Sequence, residues 1–387
     1  MGHTLAILGS TGSIGQSALD VVRHHPEQLR VATLAAFGSD VDALERQALE
    51  LRPELVAVYE ENAAEDLARR LRGRLECEVA AGGEGIVRAA THHSVDRVLA
   101  AIVGAAGLPA VHAAVIAGKD VALANKESLV VAGPLLTSLA RRHGASILPV
   151  DSEHAALHQA LRCGERREVR RMVLTASGGP FRRRDLDTFE EILPEEALRH
   201  PTWEMGAKIS IDSATLMNKA LELIEARYLF ELEPEAIDVV IHPQSLVHSM
   251  VEFCDGSWIA QLSVNDMTIP IQYALAYPER WANRFKRLEP EKFGTLEFEP
   301  VDSRRFPALA LARRALAMGA SAPAVLNAAN EVAVAAFLAR RVRFRAISAT
   351  VEAVLDRHRG EPVDDLEAAL AWDRWGREQA TEILGVR

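Results

Sequence analysis

Two acids one residue apart, Asp151 and Glu153, close the apolar run Ile147-Leu-Pro-Val-Asp-Ser-Glu-His154. On an extended segment residues i and i+2 point the same way, so both carboxylates would face one spot. Hard oxygen ligands converging at the end of a buried strand suit Mg2+ or Mn2+, whose remaining positions take waters and substrate oxygens. Acids spaced this way are more often a solvated loop, so the surroundings must decide. Further on, Asn218, Lys219 and Glu222 stand at i, i+1 and i+4 in a strong helical pattern running to Tyr228 and share one side of it. Glu222 is a candidate third oxygen ligand, with Asn218 and Lys219 reaching other substrate oxygens. The competing reading is a surface Lys219–Glu222 pair worth only about 0.3 kcal/mol. Between these clusters, Met172 to Phe181 reads as a strand running into Ser177-Gly-Gly. Its amides can form an anion nest and its hydroxyl suits a phosphate, an ordinary glycine turn being the alternative. The long loop from Phe181 to Lys208 carries His200-Pro-Thr-Trp-Glu-Met-Gly206. There Trp203 either covers a ligand or packs in the core, and His200 has a structural alternative as a capped histidine.

The elements that would position these groups begin with a second chemistry. Thr4 to Leu8 is a short apolar strand pattern, followed at once by Gly9-Ser-Thr-Gly12-Ser-Ile-Gly15 and a helical pattern through Ala18, Leu19 and Val22. Glycines between a first strand and a first helix let the backbone approach a pyrophosphate, whose charge meets free amides and the helix dipole. The second strand, Val31 to Phe37, ends in Gly38-Ser-Asp40, which reads two ways. Asp40 can accept from a free ribose 2'-hydroxyl, pointing to NAD, whereas Gly38 and Ser39 can bind a 2'-phosphate, pointing to NADP. Strands expected at Leu55–Tyr59, Arg97–Ala101, Asp120–Ala124 and Ile147–Val150 alternate with helices, as in a doubly wound parallel sheet. Asn125, Lys126 and Glu127 fall just past a strand's carboxyl end, where open sheets bind ligands. A Lys126–Glu127 neighbour pair at a helix start is the bland alternative.

The expected architecture is therefore α/β: a Rossmann-like domain over 1–150, then an α+β catalytic and metal-binding domain over 151–287 whose flap covers about 178–208. Val239–Glu252 and Ser257–Leu262, separated by Asp255-Gly256, read as a hairpin of an antiparallel sheet. A charged, Pro-containing linker follows over 288–306, and helical patterns at 307–318, 322–339, 347–358 and 366–384 give an all-α domain over 307–387. With 387 residues, 49% of them hydrophobic, the chain supports several cores. Its formal charge of -10 disfavours a broad nucleic-acid or anionic-membrane surface, so an anionic substrate needs a focused pocket. Cys77, Cys163 and Cys254 lack metal spacing and predict buried thiols in a reducing compartment. A strand pattern starting at Thr4 and the lack of a membrane-length apolar run predict a cytoplasmic protein without a leader.

Together and in order, Gly9–Gly15, Leu123-Ala-Asn-Lys-Glu-Ser128, Pro149-Val-Asp-Ser-Glu-His154, Ser177-Gly-Gly-Pro-Phe181, His200-Pro-Thr-Trp203, Asp212-Ser-Ala-Thr-Leu-Met-Asn-Lys219 and Ile241-His-Pro-Gln-Ser245 resemble the 1-deoxy-D-xylulose 5-phosphate reductoisomerase family. The resemblance runs from about residue 4 past Leu326-Asn-Ala-Ala-Asn-Glu331. It implies that Asp151, Glu153 and Glu222 bind the divalent metal, Mg2+ or Mn2+, with Lys126, Ser152 and Glu153 beside the reacting carbons. It further implies that Ser177, Ser213, Asn218 and Lys219 hold the substrate phosphate with His200 nearby, that Trp203 and Met205 belong to a closing flap, and that Gly206 approaches the nicotinamide nucleotide. Thr11, Gly12, Ser13, Ile14, Asn125 and Glu127 would line NADPH, in a homodimer; at Gly38-Ser-Asp40 the chain departs from the family's common Gly followed by Lys or Arg and Asn, so a 2'-phosphate contact at Gly38 and Ser39 rests on those residues alone. The implied reaction is rearrangement of a hydroxyketone phosphate to an aldehyde and its reduction by hydride, giving 2-C-methyl-D-erythritol 4-phosphate. Two other readings would share parts of this sequence: a two-domain dehydrogenase acting on another acidic substrate without the metal cluster, and a non-catalytic NADP-binding regulator.

Overall fold

The structure, a computed structural model, describes residues 2–200, 203 and 205–386. The chain divides into two compact units, the first comprising residues 1–128, 136–155 and 267–285, the second 129–135, 156–266 and 286–387.

The first unit is built on seven short strands. In chain order they are β1 (His3–Leu8), α1 (Ser13–His24), β2 (Leu29–Ala36), α2 (Val41–Leu51), β3 (Leu55–Val58), α3 (Glu61–Leu71), β4 (Glu78–Ala81), α4 (Gly82–Ala90), β5 (Arg97–Ala100), α5 (Leu108–Ile116), β6 (Asp120–Leu123), α6 (Lys126–His143) and β7 (Ile147–Pro149). The strands pair in the order β4-β3-β2-β1-β5-β6-β7, and every pairing is parallel. Runs such as Leu-Val-Ala-Val in β3 are buried throughout because helices cover both faces of such a sheet. The expected strands all form, while β4 went unpredicted because only Ala80 of its four residues is buried.

The helix α7 (Ser152–Ala160) follows β7 and brings a correction. Asp151 and Glu153 do not alternate along a strand. Extended structure stops at Pro149, and the Glu153 amide donates to Asp151 Oδ1 at 3.3 Å, turning the chain into the helix. The two carboxylates flank a helix start.

In the second unit the chain makes β8 (Val169–Ala176), a short α8 (Pro194–Ala197), α9 (Ala207–Ala214), α10 (Met217–Phe230), β9 (Ile237–Ile241), β10 (Val247–Phe253) and β11 (Trp258–Leu262). The expected single long hairpin arm over 239–252 is two strands. The polar, proline-containing His242-Pro-Gln-Ser245 interrupts it and turns, with Ser245 at φ +51°, and β9 pairs parallel with β8 while β10 forms the hairpin with β11.

The next helix, α11 (Thr268–Ala276), belongs to the first compact unit. Ile271, Ala274 and Leu275 complete the first unit's core with Leu5, Leu19 and Leu148. The buried Arg97 guanidinium donates to the carbonyls of Ala274 (3.0 Å), Leu275 (2.7 Å) and Tyr277 (3.3 Å), satisfying groups that a helix end leaves open, and Asp120 neutralises it at 3.1 Å.

Returning to the second unit, the stretch expected as a linker contributes β12 (Glu299–Pro300), an edge strand on β9, giving the sheet order β11-β10-β8-β9-β12. Four helices follow: α12 (Ala308–Met318), α13 (Ala322–Leu338), α14 (Ala346–Arg357) and α15 (Leu366–Leu384). They share one core with α10, in which Met217, Ala220, Leu221 and Ile224 meet Ala308, Leu311, Ala312, Val325 and Leu326. These helices fall within the second compact unit. Cys163 and Cys254 are exposed, against the expectation of buried thiols; only Cys77 is partly covered, and burial raises its pKa to about 11. Among the described residues no helix is long and apolar enough to cross a membrane.

Candidate active site

In the first unit the turn after β1 requires its glycines. Gly9 has φ +88°, and a Cβ there would sit 2.6 Å from the Ala101 carbonyl oxygen. A Cβ on Gly15 would strike the Gly9 carbonyl and the Ser10 backbone. Gly12 caps α1 without a side-chain hydrogen bond and no acid occupies the first turn, so no side chain neutralises the amide end of the helix beside Thr11, Gly12, Ser13 and Ile14. Gln47 braces this turn from α2: Ser10 Oγ donates to its Oε1 at 2.8 Å, and its Nε2 donates to the Ser10 carbonyl at 3.0 Å. Sequence reading missed Gln47, whose only signal is a polar residue on the buried face of a helix.

At the end of β2, Gly38 has φ +112° and Asp40 serves as the cap of α2, accepting from the Ala43 amide at 2.8 Å. One Asp40 oxygen is thus already engaged, while Ser39 is exposed beside it. Phe37 and Tyr59, just past β2 and β3, stack at 5.5 Å with an interplanar angle of 17° and are more than half exposed at 58% and 51%. Exposed stacked rings at the carboxyl edge of a sheet are a feature the sequence alone did not flag.

At the end of β6, the Asn125 amide donates to the Gly104 carbonyl and to Glu127 Oε2, each at 3.0 Å, while Ser128 Oγ donates to Asn125 Oδ1. Glu127 therefore pairs with Asn125, and Lys126 turns the other way, its Nζ 2.5 Å from Asp151 Oδ2 with both side chains largely buried. Ser152 Oγ donates to Glu153 Oε2 at 2.6 Å. Lys126, Asp151, Ser152 and Glu153 are one cluster.

Two further clusters lie in the second unit. Gly178 and Gly179 have φ of +84° and +64°, and a Cβ on Gly179 would lie 2.7 Å from the Ser213 carbonyl oxygen, so the Ser177 loop is seated on the end of α9. The Trp203 amide donates to His200 Nδ1 at 3.0 Å, which leaves the neutral ring's proton on Nε2; that proton is donated to Ser177 Oγ at 3.0 Å. Ser177 Oγ also accepts from the Gly179 amide at 3.2 Å. Pro201, Thr202 and Glu204, within the expected flap, lie outside the described residues.

Leu216, buried at φ +60°, joins α9 to α10. From α10, Asn218 Nδ2 donates to Glu222 Oε1 and Lys219 Nζ meets Glu222 Oε2, both at 2.5 Å. Glu222 has 0% exposure and Lys219 3%, so the reading as a surface pair fails. Glu225, one turn along the same helix and equally buried, was passed over in the sequence; its i+3 spacing from Glu222 was the available signal.

A parallel sheet with a glycine turn after its first strand, three buried or half-buried carboxylates each held by a neighbouring donor, and a serine-glycine loop fit a nucleotide-dependent enzyme for an anionic substrate. Family models described as 1-deoxy-D-xylulose 5-phosphate reductoisomerase match residues 5–133, and those of its C-terminal domains match 147–230 and 262–379. The 1-deoxy-D-xylulose 5-phosphate reductoisomerase of Symbiobacterium thermophilum is 54% identical over 382 residues, covering 98% of each chain, and that of Chlorobaculum tepidum is 51% identical over 385 residues, covering 99% of this chain and 100% of its own. A crystal structure of a DOX-P reductoisomerase in complex with NADPH, fosmidomycin and magnesium aligns at TM-score 0.94 and 43% identity, covering 99% of this chain and 98% of that one. The Zymomonas mobilis enzyme in complex with NADPH aligns at 0.93 and 43%, covering 99% of each chain. The chain belongs to the 1-deoxy-D-xylulose 5-phosphate reductoisomerase family.

Proposed function

We infer that the chain converts 1-deoxy-D-xylulose 5-phosphate to 2-C-methyl-D-erythritol 4-phosphate, using NADPH and a divalent cation. The observation that carries the residue assignments is Glu222, a fully buried carboxylate whose two oxygens are each met by a donor. Burying an ion pair costs more than an apolar pair of the same volume, and a cation on Glu222 with an anion beside Lys219 would offset that cost. The donor set of Asp151, Glu153 and Glu222, all carboxylate oxygen, fits Mg2+ or Mn2+ and disfavours softer metals. When bound, the cation supplies Lewis-acid stabilisation of the charge that develops on the hydroxyketone oxygens. NADPH supplies the hydride.

The chain's own residues do the rest. Ser177 Oγ accepts from His200 and from the Gly179 amide, which leaves its hydroxyl hydrogen to donate to a phosphate oxygen. Lys219 and Asn218 add a cation and an amide for the same anion, and Ser213 lies against the Ser177 loop. Lys126, with Asp151 as counter-ion, places positive charge beside the reacting carbons, with Ser152 fixing the Glu153 carboxylate. Trp203, tied to His200 through its amide, covers the site against water. The α1 amide end receives the pyrophosphate, Gly38 and Ser39 the 2'-phosphate, and the Phe37–Tyr59 rings give the adenine an apolar face.

The chain is placed in the cytoplasm on its three unpaired cysteines and read as a homodimer on its family resemblance. The test of the reaction is NADPH absorbance with 1-deoxy-D-xylulose 5-phosphate, with Mg2+ present and then chelated. Metal-dependent loss of absorbance is expected, with NADH slower. Oxidation that persists in full after chelation would overturn the metal's role.

A further inference from the structure

We propose that Asn330, on α13, is a positioning residue for the phosphate end of the substrate, acting through Asp212; this rests on the reading of Ser177 and Ser213 as phosphate ligands. Asn330 has 0% exposure and its Nδ2 donates to Asp212 Oδ1 at 2.8 Å. The other Asp212 oxygen is taken by Lys208 Nζ at 2.9 Å, one turn back on α9. Both oxygens of a buried carboxylate are therefore fixed from two helices, and the next residue along the chain is Ser213.

The apolar seam between these helices, Ile211 and Ala214 against Ala333, Val334 and Phe337, sets their separation. Apolar contacts are non-directional, and a helix can slide or rotate over them with little change in buried area. A single directional bond between buried polar atoms fixes the register, the best-attested use of a buried polar pair. The helix that carries the donor is tied down on either side of it: Asn327 Nδ2 donates to Glu331 Oε1 at 3.0 Å, and Arg377 from α15 meets Glu331 Oε2 at 2.5 Å and Asp373 at 2.7 Å.

The register of α9 reaches the phosphate loop directly. Gly179 packs on the Ser213 carbonyl so closely that a methyl group would not fit, and the Gly179 amide donates to Ser177 Oγ. A shift of α9 thus moves Ser213 and the Ser177 loop together. On this account the C-terminal helices set the affinity for the anionic end of the substrate.

The test compares Asn330→Ala, Asp212→Asn, the double variant Asp212→Asn/Asn330→Asp, and Ser213→Ala, using KM for the sugar phosphate, KM for NADPH, kcat, and the inhibition constant of inorganic phosphate as a probe of the anion subsite. Asn330→Ala is expected to raise the sugar-phosphate KM and the phosphate inhibition constant in parallel by about tenfold, the loss of roughly one good hydrogen bond, with the NADPH KM unchanged. The double variant, which rebuilds the bond in the reverse sense, is expected to recover most of that loss. Equal loss in kcat and in both KM values would mark general damage and overturn the proposal. Unchanged phosphate inhibition in Asn330→Ala, with a clear rise in Ser213→Ala, would overturn it and leave the phosphate site standing. No rise in Ser213→Ala would remove the underlying reading and the proposal together. Should Asn330→Ala not fold, the volume-conserving Asp212→Asn decides on the same measurements.

Discussion

Glu222→Gln changes one atom and removes one charge from a site with no exposure. In the wild type its oxygens accept from Asn218 and from Lys219 at 2.5 Å each. A glutamine offers one carbonyl acceptor and one amide NH2 donor, so either the Asn218 amide or the Lys219 ammonium would face another donor, and Lys219, itself 3% exposed, would lose the negative charge of residue 222. Breaking one partner of a buried pair costs about 3–5 kcal/mol, so the metal-free variant should unfold at clearly lower denaturant. Loss of a partner that merely orients a metal ligand weakens metal binding about 10–100-fold, and loss of the ligand's own charge should exceed the upper end of that range. Titration with Mn2+ followed by electron paramagnetic resonance reads this without requiring turnover. NADPH binding, followed by fluorescence, should be unchanged, since the glycine turn belongs to the other unit. A variant that binds Mn2+ like the wild type and turns over within about threefold of it would refute the assignment and leave Glu222 as a structural acid.

Lys219→Ala should raise the sugar-phosphate KM by tenfold or more, as expected for a charge-assisted contact worth about 1.5–3 kcal/mol; initial rates at saturating NADPH check it. Gly15→Ala puts a methyl group into the Gly9 carbonyl and should abolish NADPH binding measured by fluorescence while Mn2+ still binds. Burial, reinforced by Arg162, lowers the His158 pKa to about 4 from 6.5, and burial also lowers that of His358. Because the folded chain holds these rings neutral, their contribution is complete above about pH 6.5 and is lost as the pH falls toward 4; for the partly exposed His158 it is at most about 2 kcal/mol. Urea unfolding at pH 7.5 and pH 5 should show that loss, and His158→Gln should flatten it.

The parallel sheet was legible because each strand is a short apolar run bounded by turn residues, with Leu55–Val58 and Asp120–Leu123 falling almost where the pattern put them. The carboxylates and the serine-glycine loop were legible too, although the geometry behind Asp151 and Glu153 is a helix start and not a strand. What stayed hidden depends on chain return. Nothing in Thr268–Ala276 announces that it packs with residues more than a hundred positions earlier, and the polar, proline-containing His242–Ser245 turn sits between two short apolar runs that read together as one strand. The braces behind the site, Gln47 to Ser10 across 37 residues and Asn330 to Asp212 across 118, pair polar atoms whose local sequence marks only two helices.

The most direct test is the carbon skeleton of the product. With 1-deoxy-D-xylulose 5-phosphate labelled with carbon-13, NADPH and Mg2+, nuclear magnetic resonance should show the branched 2-C-methyl-D-erythritol 4-phosphate, absent when the metal is chelated. A linear reduced sugar phosphate would make the chain a simple dehydrogenase and contradict the assignment of Asp151, Glu153 and Glu222 to a rearrangement.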